Sequence, residues 1–372
     1  MVTRRFAISM ITAVLLTWFI LQSCQKPETI RLGFVGGLTG RNGDLGTAGR
    51  DGALLAVEVI NAGGGIGGKR IELVVRDDKS DPEEAKKVVN ELVSAKVAAI
   101  VGPMTSVVAV ATIPIMDAAR TLMLSPTVSS NDLTGIDDFF IRLNLNRDTA
   151  AATADLMVGK LKIKNAALVY DISNRSYTGS LAEAFKTRFA ALGGTIAIEQ
   201  TFNAKEKPEL LTLARKVASR KPRAIFIVAG AIDSAMICQQ LKKAGISVPF
   251  LIAEWSGTNE FLKAGGSAAA GVYILQHFNS DSSHPPFVKF KKDYNRRFGD
   301  SPSFAATYAY DAVSIIAGAL RKDPDPTHLK DTVIGIGKFA GLQGDILLDR
   351  YGDPDRKFYA MRVRDDRFVL VE

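Results

Sequence analysis

The regular alternation of strand-like and helix-like segments constrains the fold of this chain more than any other feature. Short apolar runs typical of buried strands occupy residues 30–36, 69–77, 98–101, 122–125, 165–170, 195–202, 224–228 and 249–253. Segments with apolar residues near helical spacing lie between them, at residues 48–61, 82–95, 106–119, 149–161, 176–192, 209–219 and 231–244. This alternation predicts an α/β fold with parallel sheets and helices on both faces.

The last quarter of the chain departs from this pattern. Helices are predicted at residues 285–298, 305–321 and 327–336, and antiparallel strands at residues 344–348, 357–364 and 367–371. A chain of 372 residues is too long for one ordinary core. The two successive strand–helix series therefore indicate two Rossmann-like lobes of similar architecture.

The first 24 residues have the layout of an export signal. Arg4 and Arg5 precede a mostly apolar segment at residues 6–21, and the small residue Ser23 lies directly before Cys24. This arrangement resembles the lipobox of bacterial lipoproteins, in which the chain is cut before the cysteine and the sulfur is acylated. We expect lipidation of Cys24 and a location in the periplasm or on the outer face of the cell membrane.

This interpretation divides the N-terminus into a signal peptide, residues 1–23, and a linker, residues 24–28. Gln22 departs from the lipobox pattern, which usually has a small or aliphatic residue at that position. A plain cleaved signal and a retained membrane helix are the alternatives, although a spanning helix usually needs about 20 apolar residues. Cys238, the second cysteine, lies in an apolar run and is expected to be a buried thiol without a disulfide partner.

Composition and motifs argue against several classes of function. The formal charge of +8 comes from basic residues interleaved with acids, without the concentrated basic stripe of nucleic-acid-binding proteins. The three histidines lack metal-ligand spacing, and the sequence has no GK[ST] phosphate loop or GxSxG elbow. Residues 43–49 have the pattern GxxGxxG instead of the dinucleotide motif GxGxxG. We expect no nucleic acid, metal, cofactor or enzymatic activity.

Hydroxyl residues follow two predicted strands at the point where each strand ends. Thr105 and Ser106 come after the third strand, and Thr127 and Ser129 come after the fourth. Ligands of open α/β sheets bind at the carboxyl ends of the strands. Hydroxyl groups and free helix N–H groups at that edge suit a carboxylate.

The second strand–helix series has candidate binding residues that complement those of the first. Tyr177 follows one of its strands, and Glu254 and Trp255 follow another. An anion-binding first lobe would thus face a second lobe with one acid and two aromatic rings. This combination fits a zwitterion, with its carboxylate on one side and its ammonium group near Glu254.

Several short motifs, in a fixed order, carry a resemblance to a known family. They are Leu38-Thr-Gly40 with Gly46, Ile60-Asn61 before a glycine-rich turn, Asp77-Asp78, Gly102 with Ser106, Ser125-Pro126, Gln239 with Ala244-Gly245, and Tyr310-Asp-Ala312. In this order the chain resembles the branched-chain amino-acid-binding (leucine/isoleucine/valine-binding) proteins. The proteins of that family are the substrate receptors of ABC importers and have the type I periplasmic-binding fold.

The resemblance implies a ligand site between the lobes. Ser106 would bond the ligand carboxylate, and Thr127 and Ser129 would hold its carboxylate and ammonium groups. Tyr177 would close over the ligand, and Glu254 would pair with the ammonium group. A side-chain pocket would be lined by Leu45, Met104, Thr105, Trp255 and Phe304.

The resemblance also implies how the domains and partners are organised. Lobe 1 would comprise residues 29–146 and 276–341, and lobe 2 would comprise residues 147–275 and 342–372, with three crossings between them. The ligand would be an amino acid, branched-chain or a related apolar one. A membrane permease would recognise the closed form, and we expect a monomer.

Two departures from the family pattern leave the ligand open. Leu45 stands where amino-acid binders often have an aromatic residue, and Trp255 stands where a small residue is typical. An aromatic acid, an amide or a polyamine is therefore an alternative ligand. A sensory module that reports its ligand to a signalling partner is an alternative role.

Single residues have structural alternatives as well. Ser106, Thr127 and Ser129 suit helix caps or turns. Tyr177 suits a core position, and Glu254 suits a solvated loop.

Overall fold

The computed structural model describes residues 28–41 and 43–371. The predicted signal peptide and the predicted lipidation site Cys24 lie outside the described residues. None of the described helices combines the length and the apolar composition needed to cross a membrane.

A five-stranded parallel sheet carries the first part of the fold. Its strands are β1 (Thr29–Gly36), β2 (Arg70–Asp77), β3 (Ala99–Val101), β4 (Leu122–Ser125) and β5 (Phe140–Arg142). The spatial order is β2-β1-β3-β4-β5, and every pair of neighbours is parallel. The connecting helices are α1 (Gly43–Ala62), α2 (Pro82–Ser94) and α3 (Ser106–Ala119).

A second parallel sheet carries the next part. Its strands are β6 (Asn165–Asp171), β7 (Thr195–Phe202), β8 (Ala224–Val228), β9 (Phe250–Ile252) and β10 (Tyr273–Gln276), in the order β10-β9-β8-β6-β7. The helices are α4 (Arg147–Asp155), α5 (Arg175–Ala191), α6 (Leu210–Ser219), α7 (Ala231–Lys243) and α8 (Asn259–Gly265). Cys238 on α7 is fully buried, which raises the pKa of its thiol to about 12 and confirms an inert thiol.

The C-terminal segment returns to the first sheet before it completes the second. It forms helices α9 (Pro285–Phe298), α10 (Phe304–Lys322) and α11 (Leu329–Ile336), then a small antiparallel sheet of β11 (Lys338–Gly341), β12 (Gly344–Leu348) and β13 (Pro354–Asp355). Strand β14 (Tyr359–Arg364) then extends the second sheet antiparallel to β10, and β15 (Arg367–Leu370) pairs antiparallel with β14 at its edge. The chain thus passes between the two sheets three times.

The two parallel sheets and their helices confirm the predicted fold class. The lobe boundaries stay a prediction, and the predicted boundary between residues 341 and 342 falls within the β11–β12 hairpin. The sequence does not predict β5, β10 or β11. Strand β5 ends in the charged residue Arg142, and β11 begins with Lys338 and ends with Gly341, so neither has a continuous apolar run. The apolar run of β10 is not recognised as a strand.

Helix α1 begins earlier than the sequence predicts, because its glycines form a packing face. The sequence predicts a helix at residues 48–61, whereas the helix starts at Gly43. A Cβ atom at Gly46 would collide with the Gly37 carbonyl, and one at Gly52 would collide with the backbone of Ala306 on α10. Glycine at these positions therefore lets α1 lie directly against its neighbours.

Buried ion pairs hold the segments that pass between the sheets. Arg142 is fully buried, and its guanidinium contacts the Asp353 carboxylate at 2.6 Å. Arg356 lies 3.3 Å from buried Asp311 and donates to the Leu143 carbonyl at 3.1 Å. Since breaking a buried pair leaves an uncompensated charge, these contacts fix the geometry of the crossings.

The close approach of α1 to α10 predicts that a larger residue at Gly52 lowers the stability of the protein. Gly52→Ala should lower the free energy of unfolding by about 1–3 kcal/mol, because the added methyl group meets backbone that has little room to move. The matched control is Gly318→Ala within α10, where a Cβ meets nothing within 4 Å. That change should stabilise the helix by up to about 1 kcal/mol. Urea unfolding of both variants measures the difference, and equal effects would contradict this packing argument.

Candidate functional site

A cavity of about 310 Å³ lies between the carboxyl ends of the two sheets. All ten residues that the resemblance assigns to a ligand site lie around it, together with two asparagines. The lining consists of Leu45, Met104, Thr105, Ser106, Thr127, Ser129, Asn144, Asn174, Tyr177, Glu254, Trp255 and Phe304. Because each of these residues is less than 10% exposed, the cavity is largely shielded from solvent.

The first sheet contributes a group of hydrogen-bond donors at the start of α3. Ser106 is the first residue of this helix, and Thr105 occupies the N-cap position without making a side-chain cap bond. The Thr105 hydroxyl is buried and has no hydrogen-bond partner among the described residues. A helix N-terminus with an uncommitted hydroxyl favours a negatively charged group.

The loop after β4 completes this half of the site. The Ser129 N–H points at the Ser106 hydroxyl oxygen at 3.4 Å, and the Thr127 hydroxyl donates to the Met104 carbonyl at 2.7 Å. These contacts join the ends of β3 and β4 around the start of α3. They do not cap a helix, so the capping alternative for Ser106, Thr127 and Ser129 is not supported.

The second sheet contributes a buried carboxylate. Glu254 begins a short 3₁₀ turn after β9 and is 5% exposed, so the alternative of a solvated loop acid is wrong. Its oxygens accept hydrogen bonds from Asn144 Nδ2 at 3.0 Å and from the His277 N–H at 2.9 Å. No lysine or arginine among residues 28–41 and 43–371 forms an ion pair with it. A buried carboxylate that is hydrogen-bonded but has no ion-pair partner favours the binding of a cation.

Aromatic side chains wall the space between these two halves. The rings of Tyr177 and Trp255 meet edge to face, with centroids 5.9 Å apart. Burial raises the pKa of the Tyr177 phenol, and the nearby Glu254 charge raises it further. The phenol therefore stays neutral, and the two rings offer mostly apolar surface to the cavity.

Polar contacts also join the two halves of the molecule. Arg41 forms an ion pair with buried Asp233 at 2.6 Å. The Thr258 hydroxyl donates to Asp44 at 3.0 Å, and the Val107 N–H donates to the Asn174 side chain at 3.1 Å. These contacts hold the two sheets together.

Sequence reasoning missed Asn144 and Asn174 as lining residues. Asn144 lies in the first segment that passes between the sheets, and Asn174 lies in a short turn after β6. For Asn174 the sequence offers one signal, its place after the predicted strand at residues 165–170. For Asn144 it offers none, since β5 is not predicted and polar residues are common in loops. Among the described residues, no group of three or more histidines, cysteines or acids is arranged to hold a metal ion.

Relatives of this chain are bacterial binding proteins. A curated relative from Pseudomonas aeruginosa, a leucine-, isoleucine-, valine-, threonine- and alanine-binding protein, is 25% identical over 88% of this chain and 87% of its own length. The substrate-binding protein LivJ of Streptococcus pneumoniae, solved with isoleucine, is similar with a TM-score of 0.86, 26% identity and coverage of 92% and 98% of the two chains.

A third similar structure binds another kind of ligand. It is a solute-binding protein of an ABC transporter from R. palustris, solved with benzoate, with a TM-score of 0.83 and 22% identity over 92% of this chain and 96% of that chain. At that identity the likeness concerns the fold. The family model described as periplasmic binding protein matches residues 29–367, almost all of the described chain. This match confirms the family resemblance drawn from the sequence motifs, and the chain belongs to the periplasmic binding protein family.

Proposed function

We propose that this protein is the solute-binding receptor of an ABC importer and captures an aliphatic amino acid. One observation carries the ligand class: the buried Glu254 carboxylate has two hydrogen-bond donors but no cation among the described residues, and it faces the same cavity as the start of α3. A zwitterion with an apolar side chain satisfies both ends and the aromatic wall. Binding, rather than catalysis, is the role that we assign.

The carboxylate of the ligand would be held by the first sheet. Ser106 and Ser129 offer a hydroxyl and N–H groups at the start of α3, and the free Thr105 hydroxyl lies beside them. The Glu254 carboxylate would accept hydrogen bonds from the ammonium group. Charge-assisted hydrogen bonds of this kind are about twice as strong as neutral ones.

Closure would link binding to transport. The contacts between Arg41 and Asp233 and between Thr258 and Asp44 form only when the two halves approach each other. A ligand that bridges Ser106 and Glu254 adds further contacts between the two halves and shifts the population toward the closed form. A permease that recognises this form would then receive the ligand.

An aromatic carboxylate is the second candidate. The edge-to-face pair of Tyr177 and Trp255 offers a surface for a flat ring, and the similar R. palustris protein was solved with benzoate. Such a ligand lacks an ammonium group and would leave Glu254 buried without a cation. This cost favours the amino acid.

The two candidates respond oppositely to neutralisation of Glu254. Glu254→Gln should weaken leucine binding by at least about 30-fold, since loss of one partner of a buried charge pair costs about 2 kcal/mol or more. Calorimetric titration with leucine and with benzoate measures both affinities. Glu209→Gln, the same change at an exposed site, is the control. If Glu254→Gln bound leucine as tightly as the parent does, or if its only change were tighter binding of benzoate, the amino-acid assignment would be refuted.

The free hydroxyl of Thr105 gives a second, independent prediction. Thr105→Val keeps the shape of the side chain and removes a buried hydroxyl that has no partner in the part of the chain that the structure describes. Stability should stay the same or rise by up to about 1 kcal/mol, whereas leucine affinity should fall about fivefold to tenfold, because the ligand carboxylate loses a donor. Thermal unfolding and calorimetry measure the two effects. A variant that binds leucine as tightly as the parent would show that this hydroxyl does not contact the ligand.

We also propose that a lipid on Cys24 tethers the receptor to a membrane beside its permease. The observation is the basic, apolar and small-residue layout of residues 1–23. Cys24→Ala should move the protein from the membrane fraction to the soluble fraction after cell lysis, as measured by immunoblotting. Retention of the variant in the membrane fraction would instead support an uncleaved helix.

A further inference from the structure

A second, acidic pocket lies outside the ligand cavity, at the boundary between the two halves. It has an empty volume of about 710 Å³ and is lined by the carboxylates of Asp44, Asp51, Glu260 and Asp300. Lys263 is the one cationic side chain in this lining and lies 3.4 Å from Asp300. Arg50, which is not part of the lining, pairs with Asp51 at 2.8 Å, so the four carboxylates meet two cations and the net charge stays negative.

The carboxylates come from both halves of the molecule. Asp44 and Asp51 lie on α1, and Asp44 accepts a hydrogen bond from the Thr258 hydroxyl of the opposite half at 3.0 Å. Burial raises the pKa of Asp44, and the charge of Glu260 raises it further. When the halves meet, the negative charges of Asp44 and Glu260 are thus brought together. Among the described residues, no lysine or arginine forms an ion pair with either of them.

An unpartnered hydroxyl points independently to a ligand in this pocket. Ser303 is 9% exposed and lines the pocket, and its Oγ has no hydrogen-bond partner among the described residues. It stands at the N-cap position of α10 but makes no side-chain cap bond. A buried hydroxyl is normally hydrogen-bonded, so this one is available to a bound group.

The other walls of the pocket define the chemistry of that group. The aromatic rings of Tyr294 and Phe298 line it. The Arg297 guanidinium already lies over Phe298, 5.1 Å from its centroid, so Tyr294 is the ring open to an ammonium group or a methylene chain. The acids are not arranged as a metal cluster among the described residues. An organic cation satisfies both the carboxylates and the Tyr294 ring.

We propose that this pocket binds an organic ammonium ion of the polyamine type and that its occupancy favours the closed form. The ammonium groups would lie between Asp44 and Glu260 and donate to Ser303, with the carbon chain against Tyr294. Because the cation contacts both halves, it binds the closed arrangement more tightly than an open one. The cation must therefore raise the affinity for the transported ligand by the same factor by which the transported ligand raises the affinity for the cation.

The first experiment tests the site without reference to the transported ligand. Spermidine is titrated into the full chain and into Glu260→Gln, with Glu209→Gln as a control that removes the same charge at an exposed place. Saturable binding that falls about tenfold in Glu260→Gln and less than twofold in Glu209→Gln is expected. An absence of saturable binding, or equal weakening in the two variants, would overturn the proposal.

The second experiment tests the coupling and rests on the proposed function. Leucine affinity is measured in spermidine and in sodium chloride of matched ionic strength. Tighter leucine binding in spermidine, lost in Glu260→Gln but kept in Glu209→Gln, is expected. Equal affinity in both solutions would overturn the coupling. A failure of leucine to bind in either solution refutes the proposed function instead, and the spermidine titration still decides the pocket.

Discussion

Glu254 is a buried carboxylate whose position depends on two of the segments that connect the sheets. One hydrogen bond comes from Asn144, just after β5, and the other comes from the main chain of His277, just after β10. This buried carboxylate is therefore attached to the segments of the chain that connect the two sheets. A change in the angle between the sheets would disturb both of these donors.

Other buried polar groups around these segments also limit how the two sheets can be placed. The imidazole of His277 lies within hydrogen-bond distance of the Leu145 and Lys357 carbonyls, at 2.9 and 3.2 Å. Arg356 packs over the ring of Tyr308, 4.1 Å from its centroid, and pairs with Asp311. Because buried polar networks tolerate few arrangements, they limit how the sheets can be placed and so define the shape of the cavity.

Much of the fold and of the candidate site was predictable because both follow local rules. Strands and helices with clear periodicity, such as β8 and α7, need only the pattern of their own residues. The rule that ligands lie at the carboxyl ends of parallel strands then selects Thr105, Ser106 and Glu254. The short strand β5 escaped prediction because its pairing with β4, and not a continuous apolar run, makes it a strand.

The sequence by itself determined the strand–helix alternation, the family and the chemical types at the edge of each sheet. Only the tertiary structure decided which of these groups meet. Asn144 and Glu254 are 110 positions apart, and Arg142 and Asp353 are 211 apart. Likewise, Asp44 and Glu260 share a pocket only because the halves approach each other. No local pattern encodes such pairs, since each depends on how two separately formed sheets dock.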